Sequence, residues 1–183
     1  MTDFSKDARA STDIAAADHA RAAAADQLRP GLWQTVNERY PGSMIHKNDY
    51  VPLARLRKPL SESRLTFVST AGVQPVGTMP FDVVHPVGDY SFRRVPSGAK
   101  PVDLEIHQLK YPTSGASKDL NVIFPIERLQ ELVAEKIIGE LTPNLFSFIG
   151  YNMDAERLER TLAEDIAEAV AAEDTDVALL SPA

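Results

Sequence analysis

The sequence predicts an α/β domain of three layers, a mostly parallel sheet flanked by helices. Three observations predict it. A short run of β-branched and aromatic residues, Arg64-Leu65-Thr66-Phe67-Val68-Ser69-Thr70, reads as a buried strand. Two later stretches repeat apolar residues at helical spacing: Leu129, Leu132, Val133 and Ile137, then Leu158, Leu162, Ile166 and Val170. Strand-like runs alternate with these helices, and that order is the pattern of a parallel sheet covered by crossover helices.

The elements follow in chain order. Residues 1–30 are Ala-rich and form an N-terminal arm or loose helix, with Ser11 to Leu28 as the helical part. Pro30-Gly31 ends it, and residues 31–183 make up the α/β domain. Leu32, Trp33, Val36 and Tyr40 fall at the spacing of a short helix closed by Pro41-Gly42. The strand Arg64 to Thr70 runs into Ala71-Gly72. Residues 73–102 are rich in Pro and Gly and read as a long irregular stretch, which is uncommon in a compact domain unless it serves function. Val102 to Leu109 is expected as a second strand. Pro125 opens a helix at a position where a missing N–H costs nothing, and Gly139 is expected to stop it. Leu145 to Ile149 is a third strand. Asn152 or Asp154 caps the last helix. A fourth strand begins at Asp176 and runs to Ser181, with its carboxyl end aimed at the edge where open α/β sheets bind ligands. Either it is the final strand, or the C-terminal part of the fold is missing.

Composition excludes several functions. The 183 residues suit one domain, with 44% apolar and 25% charged residues in ordinary globular balance. No apolar run is long enough to span a membrane, and the N-terminus lacks a secretion signal, so the expected location is cytoplasmic. A formal charge of −7 argues against general nucleic-acid binding. Arg55, Arg57, Lys58 and Arg64 gather locally, as a solvated face or an anion site. There is no cysteine, hence no disulfide and no thiol nucleophile. The four histidines are scattered, with no metal spacing. Neither a dinucleotide fingerprint nor a phosphate loop occurs.

A resemblance emerges from several blocks taken together. They are Lys58-Pro59-Leu60-Ser61-Glu62-Ser63-Arg64, Ser69-Thr70-Ala71-Gly72-Val73, Pro80-Phe81-Asp82 and Gly88-Asp89-Tyr90-Ser91-Phe92-Arg93. Asp119 through Leu129, Gly139 and Phe148-Ile149-Gly150-Tyr151 complete the set. In this order the chain resembles the selenoprotein B subunits of the glycine, sarcosine, betaine and D-proline reductases, and its length suggests a compact, D-proline-reductase-like member. The resemblance implies that the strand matching Val177 to Ser181 leads into a redox-active selenocysteine or cysteine. That residue is expected immediately after Ala183, so no cofactor belongs to this chain and the reading frame is expected to be cut at a UGA codon. An evolved truncation is the competing explanation. The family's His-x-x-Tyr-Asp segment departs here to His107-Gln108-Leu109-Lys110-Tyr111-Pro112.

The chemistry implied by the resemblance is reductive C–N cleavage. A selenolate attacks carbon and displaces an amine, a thiol resolves the product, and a dithiol carrier supplies the reducing equivalents. Low-pKa chalcogenolates are good nucleophiles at neutral pH. The expected partners are a small amino-acid-like substrate and a pyruvoyl-containing or carrier subunit, with a homo-oligomer as a further expectation. Arg93 is the candidate for the substrate carboxylate, because a guanidinium fork matches it; the alternative is a loop tie to Asp89. Asp89 holds the amine or orders the loop. His107 is a candidate proton donor or a structural histidine. Ser69, Thr70, Tyr151 and Asn152 stand at carboxyl edges, as substrate contacts or turn caps. Asp119 and Asn121 read as turn and cap residues. The non-catalytic alternative is a relative that binds a small carboxylate or a partner protein.

Overall fold

The computed structural model describes residues 54–109 and 111–183, all within one compact unit, Lys47–Ala183. The expected Ala-rich arm, its boundary at residue 30 and the short helix at 32–40 lie outside the described residues. In chain order the elements are β1 (Arg64–Ser69), β2 (Val73–Pro75), β3 (Phe92–Pro96) and β4 (Leu104–Ile106). Helix α1 (Ile126–Ala134), β5 (Glu140–Leu141) and β6 (Asn144–Phe148) follow. A second helix runs as α2 (Ala155–Arg157), a π-helical turn (Leu158–Leu162) and α3 (Ala163–Ala171), and β7 (Val177–Ser181) ends the described fold.

β1 is the hub of a five-stranded mixed sheet. Leu65 lies opposite both Leu141 and Val177, and Val68 opposite both Phe146 and Leu180. Hence β5 and β6 are two lengths of one strand line on one side of β1, and β7 lies on the other side. The line breaks at Thr142-Pro143, because proline has no N–H for the ladder. Thr142 bridges the gap: its N–H donates to Leu65 O at 2.9 Å and its hydroxyl to Asn144 O at 2.6 Å. All these pairings are parallel, while β3 runs antiparallel along β6 as an edge.

Side chains alternate across β1 and build two cores. Leu65 and Phe67 pack with Ile126 and Leu129 of α1, and the Phe67 and Phe124 rings meet edge-on at 5.2 Å. Val68 and Phe146 pack on the opposite face with Leu162 and Ile166. The two helices therefore cover opposite faces, which is the expected three-layer α/β architecture.

Several expected elements change. The strand expected over Val102 to Leu109 shrinks to Leu104–Ile106 and leaves the main sheet, pairing antiparallel with β2. Pro101 starts a tight turn instead, with the Asp103 carboxylate accepting from Lys100 N–H at 3.0 Å, and Val102 is exposed. The stretch 73–102, expected to be irregular, contributes β2 and the edge strand β3. Gly139 does not stop α1. Lys136 does, at φ 60°, with its N–H on Val133 O and the Ile137 N–H on Leu132 O in a Schellman pattern. Gly139 is needed for close approach: a Cβ there would sit 2.8 Å from the backbone carbon of Glu62.

Candidate functional site at the carboxyl edge

The order of the parallel strands decides where a site lies. From β1 the chain crosses by α1 to β6 on one side. From β6 it crosses by α2 and α3, on the other face, past β1 to β7. The connections thus diverge between β1 and β7. In open α/β sheets ligands bind outside the strand carboxyl ends at such a switch point. Here that crevice is framed by Ser69-Thr70-Ala71 and Ser181-Pro182-Ala183.

Thr70 is the half-buried polar residue at its centre. Its N–H donates to Ser181 O at 3.4 Å, and its hydroxyl oxygen accepts from Ala183 N–H at 2.9 Å. Gly150 at the end of β6 flanks it, since a Cβ there would approach Thr70 Cβ to 3.0 Å. Ser69 is buried and turned inward: its hydroxyl oxygen accepts from Ala71 N–H at 3.2 Å and its O–H donates to Ile123 O at 3.4 Å. It shapes the turn behind Thr70.

Antiparallel β3 brings the 79–91 loop to the same edge, because Phe92 lies opposite Phe148. Asp89 organises this loop. It accepts from Asp82 N–H at 2.7 Å, from Ser91 N–H at 2.8 Å and from the Ser91 hydroxyl. Burial acts to raise its pKa, but the Ser91 and backbone donors outweigh it and hold the carboxyl below its usual range. Arg93 donates to Met79 O at 3.0 Å, Ser91 Oγ at 2.8 Å and Phe92 O at 3.1 Å, and its guanidinium lies 4.1 Å from the Phe81 ring centroid. Asp89 and Arg93 meet through Ser91.

Tyr151 and Asn152 close the other side of the loop. The Tyr151 hydroxyl donates to Pro86 O at 3.3 Å. Asn152 Nδ2 donates to Ile149 O at 2.6 Å, while its Oδ1 is buried with no hydrogen-bond partner. Gly88 bridges to Asn152 at φ 103°, and a Cβ there would meet Tyr151 O at 2.3 Å. The cap of the following helix is Asp154, which accepts from Arg157 N–H at 3.0 Å. Asp119 and Asn121 serve as turn and cap: Asp119 accepts from Asn121 N–H, and Asn121 Oδ1 accepts from Glu127 N–H at 3.1 Å.

His107 sits behind β1, its N–H on Gly72 O at 2.8 Å and its Nε2 3.2 Å from Glu105 Oε1. Glu105 Oε1 also accepts from Gln74 Nε2 at 3.0 Å. Tyr111 donates to Ala71 O at 2.8 Å, and burial pushes its hydroxyl pKa up. The basic group divides. Lys58 pairs with Asp176 at 2.7 Å and Arg64 with Glu140 at 2.8 Å, at the amino end of β1 and away from the crevice. Arg55 and Arg57 are exposed. Among the described residues no three His, Cys, Asp or Glu cluster as metal ligands, and no helix is long and apolar enough to cross a membrane.

D-proline reductase subunit gamma from Acetoanaerobium sticklandii is 28% identical to this chain over 138 residues, covering 72% of the chain and 56% of that relative. The chain is a distant relative of that reductase subunit. It spans a little over half of the reductase subunit's length. No family model matches the chain, and no solved structure does. The partners Glu105 and Gln74 escaped sequence reasoning. The signal for Glu105 was available: residues two apart on a strand share a face, which sets it beside His107.

Proposed function

We propose that this chain forms the substrate-holding half of a subunit of a selenol- or thiol-dependent reductase that cleaves a C–N bond in an amino acid or amine. The nucleophile, a selenocysteine or cysteine, follows Ala183 in the complete polypeptide. One observation carries the reading: β7 delivers the chain to the switch-point crevice, where the Ala183 N–H already meets Thr70 Oγ1. A residue following Ala183 starts from that crevice, on the same sheet edge as the 79–91 loop with Asp89, with β1 and β6 between it and Arg93 in β3. The relation to a D-proline reductase subunit adds support.

In this reading Arg93 and Thr70 contact the substrate carboxylate, and Asp89 holds the loop that presents Arg93. His107 supplies the proton to the leaving nitrogen, with its ring oriented by Glu105. The subunit works in a complex with a partner reductase or carrier subunit. The non-catalytic alternative, a binder of small carboxylates, rests on the absence of cysteine from the 183 residues.

The test is to express the polypeptide encoded from residue 1 through the frame beyond codon 183, together with its partner subunit. Primary-amine formation from D-proline, and amine release from glycine and betaine, are followed with dithiothreitol as reductant. Turnover by the extended protein and none by residues 1–183 supports the proposal. Turnover by residues 1–183 alone, or an extended chain with no selenocysteine or cysteine after β7, sinks it.

A further inference from the structure

Three polar side chains form a line behind the end of β1, and no turn or cap requires them. Strand register puts Gln74 of β2 directly opposite Glu105 of β4. His107, two residues beyond Glu105, continues along the same face. Glu105 Oε1 is shared: it accepts from Gln74 Nε2 at 3.0 Å and lies 3.2 Å from His107 Nε2. Gln74 is fully buried, whereas the His107 and Glu105 side chains are 26% and 37% exposed. Gln74 is therefore the fixed end of the line. His107 is itself locked beside the end of β1. Its N–H donates to Gly72 O at 2.8 Å, and Gly72, at φ 65°, leaves so little room that a Cβ there would meet His107 O at 2.4 Å.

Gln74 is an unfavourable way to fill its space. Its Nε2 reaches two acceptors, Glu105 Oε1 and Thr78 O at 3.3 Å, which fixes the amide's orientation. Oε1 is left buried, with no hydrogen-bond partner among the described residues. An orphaned buried acceptor destabilises a fold, and an apolar side chain of similar volume would not. What the amide supplies is a carboxylate that cannot turn. A carboxylate only accepts, so the imidazole nitrogen facing it must carry a hydrogen. In neutral His107 that nitrogen is Nε2, and Nδ1 is the one that takes up a proton. From the cross-strand register, the shared oxygen and the orphaned amide, we infer that Gln74 is a positioning residue: it fixes Glu105 so that His107 is held as the Nε2–H tautomer, with Nδ1 as its working atom. The imidazolium then gives its Nδ1 proton to the leaving nitrogen and returns to the neutral Nε2–H form, while Glu105 stays ionised. The use of that proton rests on the reductase reading above, whereas the tautomer and its dependence on Gln74 are read without turnover.

The test follows the His107 ring of the full 183-residue chain by heteronuclear NMR, at a pH where that ring is neutral. The parent is expected to show the proton on Nε2, protected from exchange with water; a proton on Nδ1 overturns the inference. Gln74→Met keeps the volume and removes the amide. It should speed exchange of the Nε2 proton by about tenfold, the equivalent of losing about 1.4 kcal/mol of hydrogen bonding. In a Glu105→Ala background Gln74→Met should have no such effect, because Gln74 acts through Glu105. Unaltered exchange in Gln74→Met, or an equal effect in both backgrounds, overturns the inference. If Gln74→Met fails to fold, Glu105→Asp draws the carboxylate back from both partners. The Gln74 side-chain amide and the His107 ring signals should then shift together, and a shift of His107 alone overturns the inference. In the extended protein with its partner subunit, Gln74→Met should lower kcat with KM unchanged; an unchanged kcat beside altered exchange removes the working role of Nδ1. Altered exchange with no turnover in parent or variant would sink only the reductase reading.

Discussion

Asp89 shows how one carboxylate can order a whole binding loop. Its oxygens accept from two backbone N–H groups and a hydroxyl, and Ser91 passes the order on to Arg93. Because its pKa is lowered by folding, its contribution is fully present above the ordinary carboxylate pKa of about 4 and fades as pH falls through the lower folded value. Asp89→Asn is expected to lower stability at pH 7 by about 1–2 kcal/mol. The substitution should also flatten the acid limb, so that mutant and parent draw together as pH falls through the lowered folded value; a series of urea midpoints from neutral to acid pH checks this. Glu105→Gln should alter the NMR signature of the His107 ring nitrogens while leaving the urea midpoint within about 1 kcal/mol. An unchanged ring spectrum would show that the 3.2 Å contact does not orient His107.

Elements show where local geometry overrules a residue's reputation. Helix α1 ends on Lys136 in the left-handed region, which costs a side-chain-bearing residue about 1 kcal/mol. Lys136→Gly is expected to raise stability by about 0.5–1 kcal/mol, measured as a shift in thermal or urea midpoint. Gly139 lies against the backbone of Glu62 and Ser63, so Gly139→Ala should cost about 2–3 kcal/mol by forcing β5 away from the segment before β1. The two glycine exchanges thus have opposite signs three residues apart. The second helix has its own irregularity. Leu158, Leu162, Ile166 and Val170 repeat every four residues, which over-rotates by about 40° per step in an α-helix. The wider π-helical turn at Leu158–Leu162 takes up part of that drift, keeping the stripe on Val68 and Phe146.

At the scale of the molecule, β7 is the vulnerable edge. Among the described residues it is an outer strand, with Leu179 and Leu180 at 43% and 70% exposure on opposite faces, which is a template for pairing with another chain. Leu180→Lys is expected to change stability by less than about 0.5 kcal/mol, yet to raise the temperature at which light scattering begins, because charge blunts an apolar edge. Unchanged scattering would place the aggregation-prone surface elsewhere.

The sequence by itself determined what local patterns encode. The strand at Arg64, the two amphipathic helices, the last strand and the turn roles of Asp119 and Asn121 all depend on residues close in the chain. The relation to a reductase subunit was legible because short motifs keep their order. Tertiary structure alone decided the rest. Phe92–Pro96 became an edge strand because β6 offered a free edge, although its two arginines and terminal proline hide it from hydrophobic periodicity. The second expected strand left the main sheet because Pro101 and Asp103 bend the chain away and β2 takes up the remainder. Gly139 proved to be a contact glycine only because a segment seventy-odd residues earlier passes against it. The site is legible least of all: Thr70, Gly150, Asp89 and the end of β7 share one edge only because one crossover runs from β1 to β6 and the next returns from β6 past β1 to β7, a property of strand order that no local pattern records.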